Sequence, residues 1–280
     1  MKAEADVLRS DRVVVFADML GFAALTEAHP LDLRALNARS RPLAMTLEEL
    51  AGGCGNPLTE AFSNFHSALK WAIEMAEDTH PLTAITFSDS AFIATTYLFE
   101  AANFAIGLTQ SALSRRVPVR MGIAFGSFAT LRFRSDISLD GGDHAAQFLG
   151  TAVVRAYHAE KCGIKGIRAL LHPSLEPLFA DDAHNPAPPP FNGRPFRPIE
   201  CSPAECANGI HLKYELNYWD MAVMEQRDAW RGFQDMWAAA PDYARDHYQA
   251  TAEAINRMRI AQKEAPLTNL RRRTLPRPRG

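Results

Sequence analysis

The run Val13-Val14-Val15-Phe16-Ala17 is apolar without a break and leads straight into Asp18, followed shortly by Gly21 and Phe22. A valine-rich segment bounded by charge on its N-terminal side forms a short buried strand, here residues 12–18, which Asp18 closes. Such a strand needs a sheet and covering helices, and the downstream pattern supplies both. Residues 21–27 start a helix, and Leu58, Phe62, Phe65, Leu69, Ile73 and Met75 recur at near-helical spacing over 58–77. Residues 82–97 read as two β-rich runs meeting at a hairpin tip, Ser88-Asp89-Ser90. A further amphipathic helix spans 98–114. Residues 117–133 are strand-like, with Gly122 and Gly126 allowing close backbone approach. A polar turn at 135–144, a helix over 148–163 with a glycine stop, and a strand at 164–173 follow.

This alternation predicts an α+β chain, an α/β sandwich with a mixed sheet covered by helices. The segment 181–209 is rich in proline and irregular, a surface arm or linker. A last strand is expected at 210–221 and helices over 222–264. The expected organisation is therefore a main domain at 1–180, a proline-rich arm with a closing strand at 181–221, C-terminal helices at 222–264 and a basic tail at 265–280.

Composition narrows the partners. The 280 residues suffice for one large core with additions, and 47% apolar with 22% charged residues excludes disordered and collagen-like classes. A net charge of -2 predicts no nucleic-acid and no membrane partner. The polar start lacks the apolar centre of a signal peptide, and no apolar run approaches ~20 residues, so a cytoplasmic location is expected. Cys54, Cys162, Cys201 and Cys206 lack zinc-site spacing and read as reduced thiols. Arg271, Arg272, Arg273, Arg277 and Arg279 read as a solvated tail.

Two aspartates stand out for their context. Asp18 closes a buried strand and Asp89 sits at a hairpin tip. If that strand lies beside the hairpin, both carboxylates reach one rim and repel each other unless a cation lies between them. Hard divalent ions favour this oxygen-rich setting and bridge to phosphates. A two-metal site activates an attacking oxygen and stabilises a leaving one. Taken singly, each aspartate reads as a helix cap or turn former, and only the pair points to metal.

Four segments, in order over residues 12–173, carry a resemblance: Phe-Ala-Asp-Met-Leu-Gly-Phe from Phe16, Ile-Thr-Phe-Ser-Asp-Ser from Ile85, Arg-Met-Gly-Ile-Ala-Phe-Gly from Arg120, and the glycine-led helix from Gly150 with its following strand. Together they resemble the class III nucleotide cyclases. The resemblance implies a ferredoxin-like catalytic fold with a C-terminal helical extension, acting as a homodimer with active sites at the interface. It implies two divalent ions, Mn²⁺ or Mg²⁺, held by Asp18, Asp89 and the Met19 carbonyl. The ribose 3′-hydroxyl then attacks the α-phosphate and pyrophosphate leaves. Phe16 and the turn Leu20-Gly21-Phe22-Ala23 would meet the substrate, the turn offering backbone N–H groups to the triphosphate.

The departures concern the base and the phosphates. The two purine-reading positions of the family fall on Ile85 and Gln147, and an aliphatic side chain cannot read a purine edge. The family's ribose Asn and phosphate Arg align with Val154 and His158. Arg155 would supply the lost positive charge, and His158 reads equally as a partial replacement or a plain helix histidine. This combination resembles the bacterial pyrimidine cyclases of Pycsar anti-phage systems, with their metal aspartates within Phe-Ser-Asp. It implies UTP as substrate and cyclic UMP as product, or CTP and cyclic CMP, acting through a cyclic-nucleotide-activated effector. An adenylate cyclase, or a silent cyclase-fold module that binds nucleotide, are the rival expectations. Gly141-Gly142-Asp143, followed by His144, reads as a flexible turn, and Trp219 and Trp230 as anchors for the C-terminal helices. Arg194, Arg197 and Lys213 are further basic candidates for the triphosphate.

Overall fold

Alternation along the first strand sets the layers. Val13, Val15, Ala17 and Met19 point to one side, and Val14 and Phe16 to the other, and all are buried. The unbroken apolar run therefore reflects a strand covered on both faces. The computed structural model describes residues 5–31, 56–77, 82–134, 143–185, 198–205, 211–220 and 223–267. The loop at 51–55, most of the expected turn at 135–144, much of the proline-rich arm and the tail from 268 lie outside these.

The elements are β1 (Ala5–Met19), α1 (Phe22–Ala28), α2 (Pro57–Glu77), β2 (Thr83–Thr86), β3 (Ser90–Thr95), α3 (Leu98–Ser114), β4 (Val119–Arg134) and β5 (Asp143–Leu149). Then come α4 (Thr151–Glu160), β6 (Ala169–Leu171), β7 (Pro198–Glu205), β8 (His211–Leu216), α5 (Val223–Ala239) and α6 (Arg245–Ala261). One mixed sheet runs in the order β2-β3-β1-β4-β6-β8-β7, with β5 paired to β4. Within it, β1, α2, the β2–β3 hairpin, α3 and β4 form a split β-α-β-β-α-β unit, in which β3 separates β2 from β1 and the strands are antiparallel. That is the ferredoxin-like arrangement. β6 adds to β4 in parallel, and β8 and β7 extend the sheet.

One face carries the larger core. Phe65 and Leu69 of α2, Phe104 and Leu108 of α3, Phe233 and Met236 of α5, and Ile255 and Met258 of α6 meet Met121 and Ile123 there. α4 covers the opposite face, where Ala152 and Ala156 pack on Ala124, Phe128 and Phe16. Its seat depends on Gly122, since a Cβ there would lie 2.0 Å from the Ala156 carbonyl oxygen. Trp219 is buried and edge-on to Trp230 of α5 at 6.3 Å, so both anchor the C-terminal helices.

Several boundaries differ from the sequence expectations. β1 begins at Ala5 rather than residue 12, because its polar N-terminal half pairs with the far half of β4. The glycine-led helix begins at Thr151 rather than 148, because Phe148 pairs with Thr130 and Leu149 with Ala129 as the end of β5. The strand expected over 164–173 shortens to three residues, Ala169–Leu171. Part of the proline-rich arm is strand β7, an edge strand where the missing N–H of Pro198 is tolerated. The helical region 222–264 divides at Pro241. Among the described residues, no helix is long and apolar enough to cross a membrane.

Candidate active site

Asp18 stands directly opposite Ser90 of β3 and Arg120 of β4. Alternation puts all three on the face that α4 covers. Asp89 immediately precedes Ser90, and the Met19 N–H donates to the Asp89 carbonyl at 2.8 Å. The two sequence-predicted aspartates are thus brought together on hydrogen-bonded neighbouring backbones. Gly21 then turns the chain at φ +82 into α1. Of the N–H groups expected to face a triphosphate, that of Leu20 is engaged already, donating to the Pro118 carbonyl at 2.8 Å. Leu20 and Phe22 pack on the larger core, and Leu20 and Gly21 also line a cavity of about 190 Å³ against Tyr248 and Thr251 of α6.

The Asp89 turn has its own supports. Ser88 Oγ donates to Asp89 Oδ1 at 3.3 Å, and His66 Nε2 of α2 lies 3.2 Å from the Ser88 carbonyl. Burial lowers the His66 pKa against the opposing hydrogen bond to Ser88, so a neutral ring carries its proton on Nε2 and donates.

The residue that sequence reasoning missed is Lys161. Its ammonium donates to Asp18 Oδ2 at 2.7 Å and lies 3.0 Å from Glu160 Oε2. It also sits 6.0 Å from the ring centres of Phe16 and Tyr157. Burial pushes its pKa down, but hydrogen bonds and charge from Glu160 and Asp18 outweigh this and hold it above the ordinary lysine value. Glu160 is fully buried and accepts from Arg120 Nε at 2.6 Å. Arg120 also donates to the Ile164 carbonyl at 3.1 Å. A chain of alternating charge, Arg120–Glu160–Lys161–Asp18, therefore runs from inside the fold to the candidate site. Its only local signal was a lysine at a helix C-terminus.

An aromatic floor adjoins these charges. Phe16 stacks on Phe92 at 4.5 Å, Phe92 lies 4.9 Å from Phe148, and Tyr157 lies 5.6 Å from Phe16. Ile85 pairs with Phe92 in register and packs on this cluster. Gln147 of β5 pairs through its backbone with Leu131 of β4, and its side chain lies outside the described residues. Arg155 and His158 occupy another flank of α4. Arg155 donates to the Phe125 carbonyl at 2.9 Å, and with His158 it acts on His172. The His172 pKa falls to about 4, from burial first and then the charges of Arg155 and His158. Within one chain, Lys161 rather than Arg155 or His158 is the cation on Asp18. Val154 is exposed, Lys213 lies on β8, and Arg194 and Arg197 are outside the described residues.

The donor set suits a hard divalent ion. Asp18 and the Asp89 turn lie on hydrogen-bonded neighbouring backbones, and the Asp18 carboxylate already draws a cation to 2.7 Å. Among the described residues no group of three or more His, Cys, Asp or Glu is placed to hold a metal ion.

No protein-family model matches the sequence, and no curated protein matches it. Among solved structures, the chain is similar to the adenylyl cyclase CyaB from P. aeruginosa at 15% identity, covering 75% of this chain and 95% of that one, with a TM-score of 0.45. It is similar to a dimeric guanylyl cyclase domain of the RhoGC fusion protein from the aquatic fungus Blastocladiella emersonii at 13% identity, covering 75% and 97%, with a TM-score of 0.46. An adenylate cyclase from Trypanosoma brucei is similar at 16% identity, covering 74% and 88%, with a TM-score of 0.43.

Proposed function

We propose that the protein is a nucleotide cyclase acting on a pyrimidine nucleoside triphosphate, UTP before CTP, to give the 3′,5′-cyclic monophosphate and pyrophosphate. The observation that carries this reading is the placement of Asp18 and Asp89 on hydrogen-bonded strand ends beside an aromatic floor. The motif resemblance supports the reaction class. Asp18, Asp89 and the Met19 carbonyl would hold two divalent ions, Mn²⁺ or Mg²⁺, which when bound supply charge neutralisation for the phosphates and acidify the 3′-hydroxyl. Tyr157, exposed and resting on the buried Phe16–Phe92 stack, offers its ring to a base or ribose. Ile85 replaces a hydrogen-bonding side chain on the same face, which removes purine reading and favours a smaller base.

The reading includes a homodimer that completes each site, so that Arg155 and His158 of one copy serve the phosphates held at the other. It also includes a second-messenger role in anti-phage defence, with the product activating a separate effector. The Lys161–Asp18 ion pair supports one rival, a silent module in which the lysine permanently replaces metal. Incubation of the purified protein with Mn²⁺ and each of the four nucleoside triphosphates separates these. Cyclic UMP as main product is expected, cyclic CMP or cyclic AMP would reassign the base, and no cyclic product from any nucleotide would establish the silent module. Asp18→Ala and Asp89→Ala are each expected to lower turnover to background, and retained activity in either would remove that residue from the metal set.

A further inference from the structure

We propose that Lys161 is an internal occupant of the Asp18 cation site, and that a divalent ion binds there only by displacing its ammonium group. The proposal rests on the reading of Asp18 as a metal ligand and concerns what controls access to it. The ammonium is met by the two carboxylates at 2.7 and 3.0 Å and lies 6.0 Å from the ring centres of Phe16 and Tyr157, a setting for a cation supplied by the chain itself.

The ammonium and a metal ion compete for the same ligand oxygen, Asp18 Oδ2, which the ammonium already occupies at 2.7 Å. An ion taking that oxygen would sit about 2.0–2.1 Å from it and would lack the shared anionic ligands that hold paired metal ions together against a flexible side chain. The ammonium is the partner that yields, because its surroundings leave it free to move. Glu160 is fully buried and fixed by Arg120, so it stays. Lys161 follows the last turn of α4, its side chain is 40% exposed, and a flexible four-carbon stem carries its charge. The ammonium can swing outward while the anchors remain.

The cost of that movement appears as weaker apparent metal affinity. A tethered competitor acts at a fixed, high effective concentration that dilution does not lower. The chain Arg120–Glu160–Lys161–Asp18 is neutral as it stands, and removing Lys161 leaves one uncompensated negative charge facing the ion. With Lys161 in place, the protein tolerates the metal-free state without repulsion between Asp18 and Glu160, and charges its site only when metal is abundant or arrives with an anion.

The test uses Mn²⁺ alone, without nucleotide, titrated into the full chain while the free aquo-ion is followed by electron paramagnetic resonance. Lys161→Met and Lys161→Gln are each expected to bind Mn²⁺ about tenfold more tightly than the wild type, whereas Lys161→Arg stays near wild type. Adding Asp18→Asn to Lys161→Met should abolish the gain. Thermal unfolding gives a second readout, since the Mn²⁺-induced rise in Tm should be larger for Lys161→Met than for the wild type. Equal Mn²⁺ affinity in wild type, Lys161→Met and Lys161→Gln would overturn the proposal while leaving the metal site intact. Absence of Mn²⁺ binding in every protein would overturn the metal reading itself.

Discussion

Gly21 bends the chain at φ +82 with nothing within 4 Å of the position a Cβ would take. The penalty for Gly21→Ala is therefore conformational, about 1–2 kcal/mol, and falls on the turn that follows Asp18. Urea unfolding should show that loss, and a larger loss in metal affinity would mark the turn as part of the site. His172 gives a pH signature. Its folded pKa of about 4 lies below the ordinary histidine value of 6.5, so the unfolded chain binds more protons between these values. Its contribution is complete above about pH 6.5 and is lost as pH falls toward 4. Replacing it with Gln should flatten the fall of Tm across that window. At this scale the meeting of the Asp18 strand end with the Asp89 turn was legible because each ends a β-rich run in a fixed local pattern. Lys161 was not, because its partner lies 143 residues away and the contact depends on how α4 is seated.

α4 is held against β4 by absence of a side chain. Gly122→Ala would place a methyl group 2.0 Å from the Ala156 carbonyl oxygen and 2.5 Å from the Glu160 nitrogen. Both are backbone atoms of the helix that positions Lys161. The expected cost is about 3 kcal/mol or more, read as a lower urea midpoint at unchanged m-value. The helices with a clear apolar stripe were readable from spacing. β5 and β7 were not. Asp-His-Ala-Ala-Gln-Phe-Leu has neither alternation nor β-branching, and it becomes a strand because the long β4 offers it an edge. β7 starts at a proline and is defined by its pairing with β8.

Across the whole molecule, the two faces of the sheet are treated unequally. Helices α2, α3, α5 and α6 contribute to the larger core on one side, while on the other α4 leaves Phe87, Val154 and Tyr157 exposed. The proposed homodimer would cover this side. Val154→Arg and Tyr157→Arg should then shift the protein from dimer to monomer in sedimentation velocity, with loss of turnover, and an unchanged dimer would exclude this face as the contact. The mixed sheet covered by helices was readable from the alternation of strands and helices, and the ferredoxin-like order was implied by the resemblance of four ordered segments. The β6–β8–β7 extension was less so, since part of it sits in sequence that reads as an arm.

The hydrogen bond from the Met19 N–H to the Asp89 carbonyl has a mechanical consequence. It couples the two strand ends, so Asp18 and Asp89 ride on one rigid plate. Rearrangement of α1, of α4 or of a second subunit can alter what is delivered to that plate and which cation waits there. The spacing between the attachment points of the two acids is therefore set by the sheet and not by the helices around it.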